Sequence, residues 1–124
     1  MNSEYFIGRF RAIRYALGGI SELLHKEKNT RVYLFFTIAA IIMGIVTHIN
    51  EVEWLVLILI ISAIWSAEAI NSAIERTVDL VTLEKKPLAK SAKDLAAGGV
   101  LILSIGSVII GLIIFLPKIY LIFF

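Results

Sequence analysis

The sequence predicts an all-α integral membrane protein, with three transmembrane helices preceded by an amphipathic surface helix. Of its 124 residues, 59% are apolar, against roughly 45–50% in soluble domains, and the mean hydropathy is +0.89. Three apolar stretches, about 32–49, 54–76 and 92–115, are long enough to cross a bilayer. Ahead of them, apolar residues recur at helical spacing while cations occupy the rest of the circumference. The competing reading is a buried helical core in a soluble bundle, but the chain has too little polar surface to coat one.

The first element, about 5–27, places Phe6, Phe10, Ile13, Leu17, Ile20 and Leu24 on one seam, with Arg9, Arg11, Arg14, Glu22 and Lys26 mostly elsewhere. Such a helix lies in the interfacial plane with its arginines toward anionic headgroups. Packing on a partner helix is the alternative. Gly18 and Gly19 weaken it locally and permit a bend. The early arginines also interrupt any long apolar run, so the N-terminus does not read as a cleavable signal.

In the first span the polar residues are Thr37, Thr47 and His48, the last read as an interface residue near the outer surface. The third span is rich in small residues. Gly99, Ser107 and Gly111 share a face suited to close helix approach, and Pro117 is expected to close the span. Pro87 and the Lys85–Lys86 pair mark the connection between spans two and three. No repeat or second domain is evident, so residues 1–124 read as a single membrane-embedded domain. With no cysteine, disulfide and thiolate chemistry are excluded.

Charge sets the expected topology. Arg9, Arg11, Arg14, Lys26, Lys28 and Arg31 precede the first span, and Arg76, Lys85, Lys86, Lys90 and Lys93 lie between the second and third. The short connection after the first span carries Glu51 and Glu53 and no cation, and only Lys118 follows the third. The positive-inside rule then puts the N-terminus and the 76–93 segment in the cytoplasm and the C-terminus outside. Trp54 and Tyr120 fit an aromatic belt at the outer boundary.

Function is expected where the second span is polar. At about 100° per residue, Glu68, Glu75 and Asp79 point within roughly 20° of one direction, with Asn71 on the same stripe. A carboxylate at membrane depth costs on the order of 2.5 kcal/mol or more, which makes the stripe the default functional site. Glu68 lies in the inner leaflet, Glu75 near the headgroups and Asp79 at the boundary, where Glu27, Lys93 and Asp94 also arrive from other helices. Carboxylates with a nearby lysine suit phosphoryl transfer, in which acidic groups hold Mg²⁺, lysine offsets phosphate charge and another carboxylate takes the acceptor's proton. A base at that depth meets only a hydroxyl anchored in lipid. Ion-coupled transport, as a transporter subunit, fits the same residue types, and a silent scaffold using Asn71 and Ser72 is a third reading. No G-x-x-x-x-G-K-[ST] loop is present, and no nucleic-acid partner is expected.

The run EAINSAIERTVDL from Glu68, followed by AKDLAAGGVLI around Lys93, resembles the signature of the small prokaryotic lipid kinases, the diacylglycerol kinase and undecaprenol kinase family. The resemblance covers nearly the whole chain. It implies a homotrimeric integral-membrane enzyme of the bacterial cell membrane, using Mg²⁺ and ATP, with sites formed between protomers. By position it implies Glu68 as catalytic base, Glu27 and Glu75 as metal-binding carboxylates, and Asn71 as the site asparagine. It further implies nucleotide contacts from Tyr15, Lys93, Asp94 and the loop Glu84–Lys85–Lys86, supporting roles for Arg31 and Asp79, and substrate contacts from Arg9 or Arg11 and Arg14. Lys85 and Lys86 stand where that loop often carries histidine. The stretches GLIIFLPK and PLAKSAKD look like the Gram-positive branch, which implies undecaprenol as acceptor, with diacylglycerol the alternative.

Overall fold

Turn chemistry decides where each helix stops. The computed structural model describes residues 3–124, which form α1 (Ser3–Lys26), α2 (Thr30–Val46), α3 (Glu51–Val81) and α4 (Pro87–Phe123). Between α1 and α2 the chain turns through 101°. Thr30, fully buried, secures this elbow by donating its hydroxyl to the Leu23 carbonyl at 2.7 Å, satisfying a carbonyl that the end of α1 would otherwise leave open.

A tighter device closes α2. His48 takes φ 51°, while the Ile49 and His48 amides donate back to the Gly44 and Ile45 carbonyls, the pattern of a Schellman cap with histidine in the position that glycine usually fills. Asn50 then caps α3 in a reciprocal box: the Glu53 amide donates to Asn50 Oδ1 at 3.0 Å, and the Asn50 amide donates to Glu53 Oε2 at 2.8 Å. Ile49 and Trp54, flanking this box, join one apolar cluster with Leu57, Ile114 and Phe115. Gly44 is what lets them close, because a Cβ there would lie 2.8 Å from the Trp54 ring. Between α3 and α4, Thr82 Oγ1 accepts from the Glu84 amide at 3.1 Å, and Pro87 opens α4 at its first turn, where a missing N–H costs nothing.

α3 and α4 pack along each other, and α2 leans on both more lightly. Two helices, α3 and α4, are long and apolar enough to cross a membrane, and α2 makes a third if the bent α1–α2 pair is counted as one. Large apolar side chains remain exposed on every helix, among them Phe10, Phe35, Leu59, Ile102 and Ile113. A surface of this kind requires lipid or other chains around it.

One local expectation is corrected. Pro117 does not end the last helix, which runs on to Phe123. Beyond it Ile119 packs on the apolar cluster and Lys118 pairs with Glu53 at 3.0 Å, and an unwound backbone beside apolar surroundings would leave its polar groups unpaired. α1 stays helical through Gly18 and Gly19. Gly99 and Gly111 meet no neighbour within 4 Å of a built Cβ, so close approach at those positions is not supplied within one chain.

Candidate functional site

Helical periodicity in α3 places Glu68, Asn71 and Glu75 on the side that faces the α1–α2 elbow. Glu68 is 3% exposed. Its carboxylate faces those of Glu27 and Glu75 and the side chains of Asn29 and Tyr33. Asn71, nine-tenths buried, donates from Nδ2 to Glu75 Oε1 at 3.3 Å, while its Oδ1 is buried without a hydrogen-bond partner. The carboxylates of Glu27 and Glu75 thus lie near that of Glu68, beside an orphaned amide oxygen, a cluster of oxygen donors that natural structures rarely leave uncompensated.

Compensation comes from Arg76. Its guanidinium spans the elbow, with Nη2 on Glu27 Oε1 at 2.7 Å and Nη1 on Glu22 Oε1 at 3.0 Å. Lys26 also reaches Glu22, at 2.9 Å. The Lys26 hydrogen bond and charge, then the charge of Arg76, hold the Glu22 carboxyl below its ordinary range. These contacts tie α1 to α3 and set the elbow over the acidic stripe.

One turn beyond Glu75, Asp79 accepts from Lys93 Nζ at 2.6 Å, and Lys90 pairs with Asp94. Both pairs face a half-open cleft of about 670 Å³, lined also by Val78, Leu83, Glu84, Lys85 and Lys86. A second cavity, of about 470 Å³ and almost wholly apolar, lies between α2, α3 and α4. Its end nearest Glu68 is walled by Tyr33 and Trp65, where Trp65 Nε1 donates to Thr37 Oγ1 at 3.1 Å. The acidic stripe of α3 therefore runs from beside the apolar cavity, at Trp65, to the polar cleft, at Val78 and Asp79.

The structure brings together Glu68, Asn71, Glu75 and Glu27, and separately Asp79, Lys93, Asp94, Glu84, Lys85 and Lys86. It does not bring Tyr15, Arg9, Arg11 or Arg14 to either cluster. Tyr15 is 75% exposed, and Arg9 stacks on and hydrogen-bonds Tyr5 of its own helix. Arg31 is exposed at the start of α2. Sequence reasoning missed the roles of Arg76, Glu22, Asn29 and Tyr33. The Glu22–Lys26 pair was readable as an i,i+4 match. Arg76 points about 100° away from Glu75 and only the 101° elbow brings a partner to it.

No three acidic or imidazole side chains among the described residues converge closely enough to hold a metal ion alone. The donors nevertheless fit a hard cation bound together with phosphate: magnesium is usually held by one or two carboxylates plus substrate phosphates, and Glu27 and Glu75 present oxygen alone.

Residues 14–115 match the model of the prokaryotic diacylglycerol kinase family. The chain is 42% identical to the undecaprenol kinase of Bacillus subtilis, over 88% of this chain and 89% of that one. It is 36% identical to the diacylglycerol kinase of Synechocystis, over 86% of this chain and 61% of the relative. With the diacylglycerol kinase of Pseudomonas aeruginosa the identity is 31%, over 69% and 70%. The buried acidic stripe, the paired lysine beside it and these matches place the chain in the prokaryotic diacylglycerol kinase family, as a lipid kinase.

Proposed function

We propose that this protein transfers the γ-phosphate of Mg-ATP to the hydroxyl of undecaprenol, yielding undecaprenyl phosphate, as a homotrimer with three spans per protomer in the bacterial cytoplasmic membrane. The observation that carries the reading is a buried carboxylate, Glu68, on a stripe of α3 that runs from an apolar cavity, lined by Ile64 and Trp65, to a polar cleft, lined by Val78 and Asp79. The N-terminus and the cleft face the cytoplasm, the C-terminus faces outside, and residues 1–124 act as one domain.

The acceptor's chain lies in the apolar cavity, which brings its terminal hydroxyl past Tyr33 to Glu68. Glu68 takes the hydroxyl proton while the acceptor oxygen bonds to the γ-phosphorus and the bond to the ADP oxygen breaks. Glu27 and Glu75 would hold the magnesium ion, which when bound neutralises charge on the transferring phosphate. Asn71 keeps Glu75 in place through Nδ2. Lys93, positioned by Asp79, offsets phosphate charge, and Lys90 with Asp94 frames the cleft. Glu84, Lys85 and Lys86 form its lip around the nucleotide. Tyr15, Arg9, Arg14 and Arg31 are too exposed to act within one protomer and serve nucleotide or lipid at the interface between protomers. Catalysis is then positioning and charge neutralisation in a low-dielectric site.

Undecaprenol is favoured by the 42% relative, which matches over most of both chains. The other relatives' names support diacylglycerol as a second reading. Family membership supports phosphoryl transfer over ion-coupled transport. Purified protein in bilayers with γ-labelled ATP, given undecaprenol or diacylglycerol, tests the acceptor directly. Label is expected in undecaprenyl phosphate, and preferential labelling of diacylglycerol would reverse the assignment.

A further inference from the structure

Resting on the kinase reading above, we propose that Arg76 is an internal cation that keeps the acidic cluster of Glu27, Glu68 and Glu75 from taking up a divalent ion until nucleotide arrives. It occupies Glu27 Oε1 at 2.7 Å, on a carboxylate proposed to bind metal. The guanidinium is permanently charged, so an ion approaching Glu27 meets a fixed positive charge a few ångströms away. The phosphates of a bound nucleotide supply the negative charge that offsets this repulsion.

Two features suit Arg76 to the task. It has a second partner in Glu22, at 3.0 Å across the elbow, so it can release Glu27 without becoming unpaired. Glu22 in turn is held by Lys26 at 2.9 Å, which keeps that partner in place. The cluster's other nearby cation, Lys93, is held by Asp79 at 2.6 Å and does not serve Glu27. Among the described residues Arg76 is the cation that forms an ion pair with Glu27, and it is a positioning residue rather than a catalytic one. Metal and nucleotide would then bind with positive cooperativity, each lessening the electrostatic obstacle to the other.

The test is Mn²⁺ binding by the full chain in bilayers, followed by the loss of the free-ion paramagnetic signal, with and without a nucleotide analogue whose γ-phosphate cannot transfer. Without nucleotide, Arg76→Gln is expected to tighten Mn²⁺ by about three- to tenfold, as for removal of one partly screened charge. With the analogue present the difference should shrink, and Arg76→Lys should stay near wild type in both conditions. Equal or weaker Mn²⁺ binding by Arg76→Gln without nucleotide would overturn the proposal and show that Arg76 merely orders Glu27. Glu22→Gln provides a second reading if Arg76→Gln folds poorly: leaving Arg76 wholly to Glu27, it should weaken Mn²⁺, and unchanged binding counts against the proposal. Glu27→Gln separates this inference from the kinase reading. Unaltered Mn²⁺ binding in Glu27→Gln sinks the metal assignment itself, whereas its loss there, with no tightening in Arg76→Gln, sinks only the role of Arg76.

Discussion

The two ends of the helical bundle are built to opposite rules. At the α2–α3 turn, polar groups find partners within the chain: Asn50 and Glu53 exchange two hydrogen bonds, and the same Glu53 carboxylate accepts Lys118. Trp54 closes onto Gly44, and Ile49, Leu57, Ile114 and Phe115 form the apolar core. At the other end, Glu27 and Glu75 both lie near the buried Glu68, Asn71 Oδ1 has no donor, and one arginine spans two carboxylates across an elbow. The first end satisfies its own needs and fixes the fold. The second leaves charge and hydrogen-bonding capacity unspent, as expected where a ligand completes the structure.

Substitutions at the two ends should therefore fail differently. The largest effect is expected for Glu68→Gln, with turnover falling by about 10²–10⁴, the range of a lost general base, while nucleotide binding and unfolding temperature stay close to wild type. Wild-type turnover in this variant would remove Glu68 from the base role. Next, Asn71→Ala releases Glu75 and should weaken metal-dependent activity by about 10- to 100-fold, as for other residues that orient ligands. A titration of rate against Mg²⁺ reads this, and an unchanged half-saturation point would deny Asn71 that role.

At the opposite end, stability should change and chemistry should not. Gly44→Ala forces a Cβ to 2.8 Å from the Trp54 ring, an overpacking expected to cost about 1–3 kcal/mol. Unfolding measurements should detect it, with activity per folded molecule retained. The smallest effect has the other sign. His48→Gly relieves a left-handed residue at φ 51° and should stabilise the protein by up to about 1 kcal/mol. A loss of stability on that change would show that the histidine side chain contributes something beyond the turn.

The acidic end of this contrast was legible in the sequence because it depends on periodicity within one helix, whereas the Asn50–Glu53 cap and the Gly44–Trp54 contact at the other end were not read from it. Spacing alone aligns Glu68, Asn71, Glu75 and Asp79, and the seam from Phe6 to Leu24 needs only local geometry. What was not legible depends on the elbow. Nothing near Arg76 in the chain indicates that Glu27, forty-nine positions away, is its partner, nor that Tyr33 and Asn29 face Glu68. Pro117 shows the reverse failure: a sound local rule for ending helices is overridden by the Lys118–Glu53 pair and by the packing of Ile119. Gly18 and Gly19 leave α1 unbroken, since a helix interior tolerates glycine at about 1 kcal/mol each.

The central claim is that a carboxylate shielded from water, on a stripe that runs from an apolar cavity to a charged cleft, selects a hydroxyl held in lipid. Its most direct measurement offers the enzyme labelled ATP with undecaprenol in bilayers and, at equal bulk concentration, short water-soluble alcohols. Label should follow the mole fraction of undecaprenol in the bilayer and bypass the soluble alcohols. Equal labelling of the soluble alcohols would contradict the claim.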